Sequence, residues 1–292
     1  MENISQPQDK FVTASGLKLH YLDWGNPDVP PMLLLHGLCG NAHYWDFFAR
    51  SMKRDYHVLA LDQRGHGGSS WAESYGPRDY VLDLEAFIAT LELDNIVLIG
   101  HSMGGINAII YAARHPDQVS QLVIVDIAPE IATAGLERME KERTSEPEAF
   151  GSEEEAIKYM KQLEPRHSEA FVRYQARFAL KRDDKGRLTF KYDRALQSTE
   201  LQSPQWLWEY LKEVICPTLL LHGMESDMLS HEVAQRAAHT LVFGLVVDIE
   251  HAGHSVPGDN PDAFEVAVRN FLSFSAMCRQ VWIFVEGLSF TQ

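Results

Sequence analysis

Gly100-His101-Ser102-Met103-Gly104 sits between two segments of opposite character. Before it, Asn95-Ile96-Val97-Leu98-Ile99 is a short apolar run rich in β-branched residues, the signature of a buried strand. After it, Gly105-Ile106-Asn107-Ala108-Ile109-Ile110-Tyr111-Ala112-Ala113 has the make-up of a buried helix. Strand, tight turn and helix are the context in which a G-x-S-x-G pattern presents a serine as a nucleophile. A sharp turn leaves no room for side chains at its flanks, and Gly100 and Gly104 meet that requirement. The helix starting beside the serine offers free N–H groups and the positive end of its dipole, both favourable to negative charge. The backbone N–H of Met103 is then one candidate oxyanion donor.

The same strand–helix rhythm runs through much of the chain. Two short strands are predicted at residues 11–13 and 17–23, as an edge hairpin. Buried apolar strands are predicted at 32–35, 58–61, 95–99, 122–125, 217–221 and 244–249. Helices are predicted near 44–52, 79–91, 105–113, 232–240 and 261–274. Near-continuous apolar strands alternating with helices indicate an α/β fold, a mostly parallel central sheet covered on both faces. From about 128 to 213 the rhythm stops. That segment is charged and helix-prone, and Pro147, Pro165 and Pro204 punctuate it. It reads as a helical cap (128–213) set into a core made of residues 1–127 and 214–292. Tail residues 281–285 are apolar and are open to two readings, an extra strand or a docking segment.

With 292 residues, 45% of them hydrophobic, the chain suffices for one large domain with an insertion. Its 41 acidic against 26 basic residues, a formal net charge of −15, argue against nucleic acid or an anionic membrane as partner. Cys39, Cys216 and Cys278 are odd in number and form no C-x-x-C pair, so a reducing cytoplasm is the expected setting. The first ten residues are polar, without the pattern of a secretory signal, and no apolar run is long enough to span a bilayer. Oligomeric state is left open.

Ligands of an open parallel sheet bind beyond the carboxyl ends of its strands. Those ends carry His36-Gly37, Asp62, Ser102, Asp126, Asp227 and His254. A serine hydroxyl is a poor nucleophile until a base takes its proton, histidine is the best base near neutrality, and a carboxylate fixes the imidazole tautomer. Ser102, Asp227 and His254 follow the chain order serine–acid–histidine. Asp227, in a polar turn, is favoured over Asp126 as the acid, with Glu225 a weaker candidate; Asp126 is then expected to line the pocket or anchor the cap. His254 is favoured over His251, and no cluster completes a metal site around that pair, so no metal is expected. The second oxyanion donor is expected from the N–H of Leu38, after Gly37. His36 is expected to brace that loop, and Asp62, Arg64 and His66 to form a structural loop. His36, Gly37, His101, Asp126 and Trp206 are the candidate pocket residues, although the cap aromatics Trp206, Trp208 and Tyr210 also suit packing.

These motifs together resemble the α/β-hydrolase superfamily over nearly the whole length. His36-Gly37 is similar to its oxyanion loop, Asp62 to Ser69 to its D-x-R-G-x-G-x-S loop, and Gly100 to Gly105 to its nucleophile elbow. Ser226-Asp227 and Gly253-His254 resemble its acid and histidine loops, and Val125 to Glu130 a strand-to-cap junction of some bacterial esterase-like members. The resemblance implies a hydrolase without a cofactor, with a helical cap over its pocket. Relatives that cleave carbon–halogen bonds or epoxides use an aspartate nucleophile, and residue 102 is serine. Hydrolysis of a small-molecule carboxylic ester through an acyl-enzyme leads. Lactones, thioesters, carbon–carbon bond hydrolysis and perhydrolysis remain alternatives on the same residues, as does a hydrolase-like ligand receptor with little turnover.

Overall fold

A computed structural model describes residues 6–198 and 202–288, with backbone alone at 198 and beyond 274. The first half of the chain runs β1 (Gln8–Ala14), β2 (Leu17–Asp23), β3 (Pro31–Leu35), α1 (Asp46–Met52), β4 (His57–Leu61), α2 (Pro77–Thr90), β5 (Ile96–His101), α3 (Met103–Arg114) and β6 (Val119–Val125). An excursion follows: α4 (Thr133–Ser145), α5 (Glu153–Leu163), α6 (Glu169–Ala179), β7 (Leu180–Arg182), β8 (Leu188–Phe190) and α7 (Leu207–Glu213). The core resumes with β9 (Thr218–Gly223), α8 (His231–Thr240), β10 (Gly244–Ile249), α9 (Val256–Asp259) and α10 (Pro261–Leu288).

Eight strands form one sheet in the order β1-β2-β4-β3-β5-β6-β9-β10. All neighbours from β4 to β10 are parallel, while β1 and β2 are antiparallel at one edge. Every residue of β5, β6 and β9 is buried. This is why those segments read as continuous apolar runs rather than as alternating ones. One apolar layer joins the sheet to α2, α3, α7 and α8, and another joins it to α1 and α10. From β3 the chain steps outward to β4, then returns through β5 and moves the other way. That reversal opens a crevice between the carboxyl ends of β3 and β5, where a ligand is expected in such sheets.

The excursion between β6 and β9 differs from a purely helical cap in two respects. β7 and β8 pair as an antiparallel hairpin whose short, partly exposed strands carry no buried-strand signal. α7 packs on the core: Leu207 and Leu211 join the apolar layer that contains α3. By contrast, Phe150, Ile157, Val172 and Ala176 form a small apolar cluster of the excursion's own. Residues 281–285 lie within α10, so their backbone is helical and not an added strand. Among the described residues, no helix is long and apolar enough to cross a membrane.

Candidate active site

Ser102 occupies the turn between β5 and α3 with φ 51° and ψ −120°. A non-glycine residue held there stores about 1–3 kcal/mol of strain, so its surroundings must over-determine it. They do: its N–H donates to Val125 O at 3.1 Å, and its carbonyl accepts from Ile106 N at 3.1 Å. The flanking glycines are steric necessities. A Cβ at Gly100 would lie 2.3 Å from Gly104 O, and one at Gly104 would lie 2.4 Å from Leu35 O. Met103 is the first residue of α3, where the N–H has no intrahelical acceptor.

The loop after β3 is fixed by two neutral histidines. Gln63 N–H donates to His36 Nε2 at 3.1 Å, so Nδ1 carries the proton and donates to Gly37 O at 2.7 Å. Gly40 N–H donates to the same oxygen at 3.1 Å. Because a trans peptide is planar, anchoring Gly37 O sets the opposite direction of the Leu38 N–H. His66 Nε2 accepts from Cys39 N–H at 3.1 Å while its Nδ1 donates to Arg64 O at 2.8 Å. Burial pushes the pKa of both His36 and His66 down, which keeps each a neutral acceptor. Leu38, Ser102 and Met103 line one cavity. In the loop after β4, Arg64 forks onto Asp83 at 2.6 and 2.7 Å, and Asp62 accepts from the N–H groups of Ala42 and Gly68.

The histidine's partner is Asp126, where the sequence favoured Asp227. His254 Nδ1 lies 2.9 Å from Asp126 Oδ2. Asp126 follows β6 at φ 49°, a left-handed conformation that aspartate tolerates better than most residues, and its side chain is fully buried. Gly223 N–H donates to its Oδ1 at 2.8 Å and Ser226 Oγ donates to its Oδ2 at 2.5 Å. Asp227 instead faces α4, where Arg138 holds it through Nε at 2.6 Å and Nη2 at 3.1 Å. The end of β9 and the turn after it thus contribute an amide and a hydroxyl to the buried carboxylate, while that turn directs its own carboxylate to the excursion. Burial pushes His254 down to about 3, with the Arg138 guanidinium adding to the effect, and pushes Asp126 up to about 7 against the hydrogen bonds of Ser226 and Gly223.

Ser102 and His254 line the same cavity, together with Gly37, Leu38, His101 and excursion residues that include Arg138, Glu142, Glu164 and Tyr192. His101 Nε2 donates to His254 O at 2.9 Å, and the two rings lie 4.8 Å apart. His101 therefore holds the histidine loop in place. On one side of Ser102 the wall is apolar, with Met103, Ile106, Ile127, Met139 and Leu196. On another, Tyr44, Met160, Phe171 and Phe190 extend it under α5 and α6. Trp206 stands at the start of α7, 45% exposed, and lines none of these three cavities. His251 is exposed; its Nδ1 lies 3.9 Å from Glu225. Sequence reasoning missed Arg138, Glu142 and Glu164, because charged residues on polar helices read as solvated surface.

A family model described as the alpha/beta hydrolase family matches residues 32–267. This chain belongs to that family. It is similar to 2-(acetamidomethylene)succinate hydrolase of Mesorhizobium japonicum, 27% identical over 83% of this chain and 88% of that protein. An esterase of Mycobacterium tuberculosis is 30% identical over 91% of this chain and 89% of its own. An sn-1-specific diacylglycerol lipase of Xenopus laevis is 32% identical over 83% and 80%. Among solved structures, an E-2-(acetamidomethylene)succinate hydrolase superposes with a TM-score of 0.83 at 25% identity, covering 91% of this hydrolase and 99% of that chain. Esterase and lipase relatives over most of the length support ester hydrolysis as the general activity.

Proposed function

We propose that this hydrolase cleaves carboxylic esters through an acyl-enzyme on Ser102, with His254 as general base and acid and Asp126 as the orienting carboxylate. The observation that carries this reading is the buried Asp126–His254 pair in the cavity that also holds the strained Ser102. With Nδ1–H directed at Asp126, His254 keeps Nε2 free to accept a proton. His254 takes the Ser102 hydroxyl proton as Oγ attacks the ester carbonyl, and the carbonyl electron pair moves onto oxygen. The N–H groups of Leu38 and Met103 receive that oxyanion. Collapse breaks the bond to the alkoxide, which leaves with the proton from His254. Water, deprotonated by the same imidazole, then attacks the acyl carbon and releases the acid and free Ser102.

Initial rates on p-nitrophenyl acetate, butyrate and octanoate test this reading. At least one is expected to turn over well above background, with a chain-length optimum set by the apolar walls. Ser102→Ala is expected to abolish that turnover with the fold intact. Background rates on all three, or wild-type rates in the variant, contradict the assignment.

A further inference from the structure

The wall facing Ser102 and His254 is unbalanced in charge. Glu142, Glu146 and Glu164 line it against Arg138 and Arg143. Both guanidiniums are already engaged. Arg138 spans Asp227 and, at 2.9 Å, Glu142, while Arg143 donates to Gln197 O at 2.6 Å and to Glu140. Glu146 accepts from the Tyr192 hydroxyl and lies 3.6 Å from Arg194.

Glu164 is different. Its side chain is 44% exposed and borders both the Ser102 cavity and its extension under α5 and α6. His167 Nε2 lies 4.0 Å away, and burial pushes that imidazole down to about 4, so it offers no charge. Among the described residues, no group donates a hydrogen bond to the Glu164 carboxyl. Behind it, Asp259 Oδ1 is buried with no hydrogen-bond partner, 3.6 Å from His167 Nε2, on a side chain 3% exposed. The negative charges of Asp259, Glu142 and Asp227 surround the Glu164 carboxyl, against the opposing charge of Arg138. A cation in the cavity would offset that excess. The aromatic rings of Tyr44, Phe171 and Tyr192 stand in the same wall. Carboxylate and aromatic faces together are the surroundings that recognise an organic ammonium group.

We propose that the ester taken by this site carries a cationic nitrogen, held by Glu164 against Tyr44, Phe171 and Tyr192, and that esters bearing a carboxylate are rejected. The proposal rests on the reading of Ser102 as an ester-cleaving nucleophile. It separates this chain from the relative named for a succinate derivative, because the cationic groups of this wall are already paired with carboxylates or backbone oxygen.

The test compares three butyryl esters: butyrylcholine, its uncharged isostere 3,3-dimethylbutyl butyrate, and 3-butyryloxypropanoate. EDTA is present throughout to exclude divalent ions. The kcat/KM of the choline ester is expected to exceed that of the isostere by about tenfold, with the anionic ester at least about tenfold lower again. In Glu164→Gln the choline-to-isostere ratio is expected to fall to within about twofold. Equal kcat/KM for the choline ester and its isostere in the wild type overturns the proposal, without recourse to any variant. A ratio untouched by Glu164→Gln overturns the role of Glu164. Failure on these three and on p-nitrophenyl butyrate alike removes the Ser102 reading and this inference with it. Turnover of the neutral ester without a charge preference removes this inference alone.

Discussion

The turns after β6 and β9 each carry an aspartate at the mouth of the same sheet, and they use it in opposite ways. Asp126 is fully buried, accepts hydrogen bonds from Gly223 and Ser226, and faces His254. Asp227 is one-third exposed and anchored to Arg138 of α4. The difference shows that position at a strand end does not assign a role to a carboxylate. What assigns it is the set of donors that make the ionised form tolerable in a buried place, and one of those donors, Ser226, comes from the neighbouring aspartate's own turn.

The largest effect expected is that of Ser102→Ala, a loss of at least about 10⁴-fold in kcat, which sets the floor against which both carboxylates are measured. Asp126→Asn is expected to lose about 10³–10⁴-fold, because the amide disturbs the tautomer and stabilisation of His254. A loss below about tenfold in steady-state assays removes the distinction between the two turns. Ser226→Ala withdraws a donor from Asp126 and is expected to lower kcat/KM by about tenfold. Asp227→Asn is expected to cost under about threefold, since its carboxylate binds α4 and Glu142 still pairs with Arg138.

The pH profile sharpens the comparison. Burial favours the neutral forms of both His254 and Asp126. A protonated His254 cannot accept the Ser102 proton, and a protonated Asp126 no longer accepts from Nδ1–H as an anion, so uptake of a proton by either lowers the rate. Activity is therefore expected to be full above about pH 8 and to fall as the pH is lowered, with the midpoint near 7 in kcat/KM profiles, where Asp126 takes up its proton. A profile flat from pH 5 to 8 contradicts the roles of both groups.

Much of the architecture was legible because buried parallel strands leave uninterrupted apolar runs, as at 95–99 and 122–125. Ser102 was legible because a strained turn demands glycine on both flanks. The choice of acid was not. Asp126 and Asp227 both fall between Ser102 and His254 in the chain, so order cannot separate them. The burial of one and the guanidinium beside the other are three-dimensional facts. The β7–β8 hairpin was hidden by its short, partly exposed strands. Glu164 was hidden because an acidic helix end reads as solvated until the fold turns it over a cavity.

The contact between His254 and Asp126 is open to direct observation by proton NMR. The low-field imidazole Nδ1–H resonance, assigned by its absence from His254→Gln, is expected to persist in Asp227→Asn and to vanish or move far upfield in Asp126→Asn. Its loss in Asp227→Asn and survival in Asp126→Asn would contradict the account.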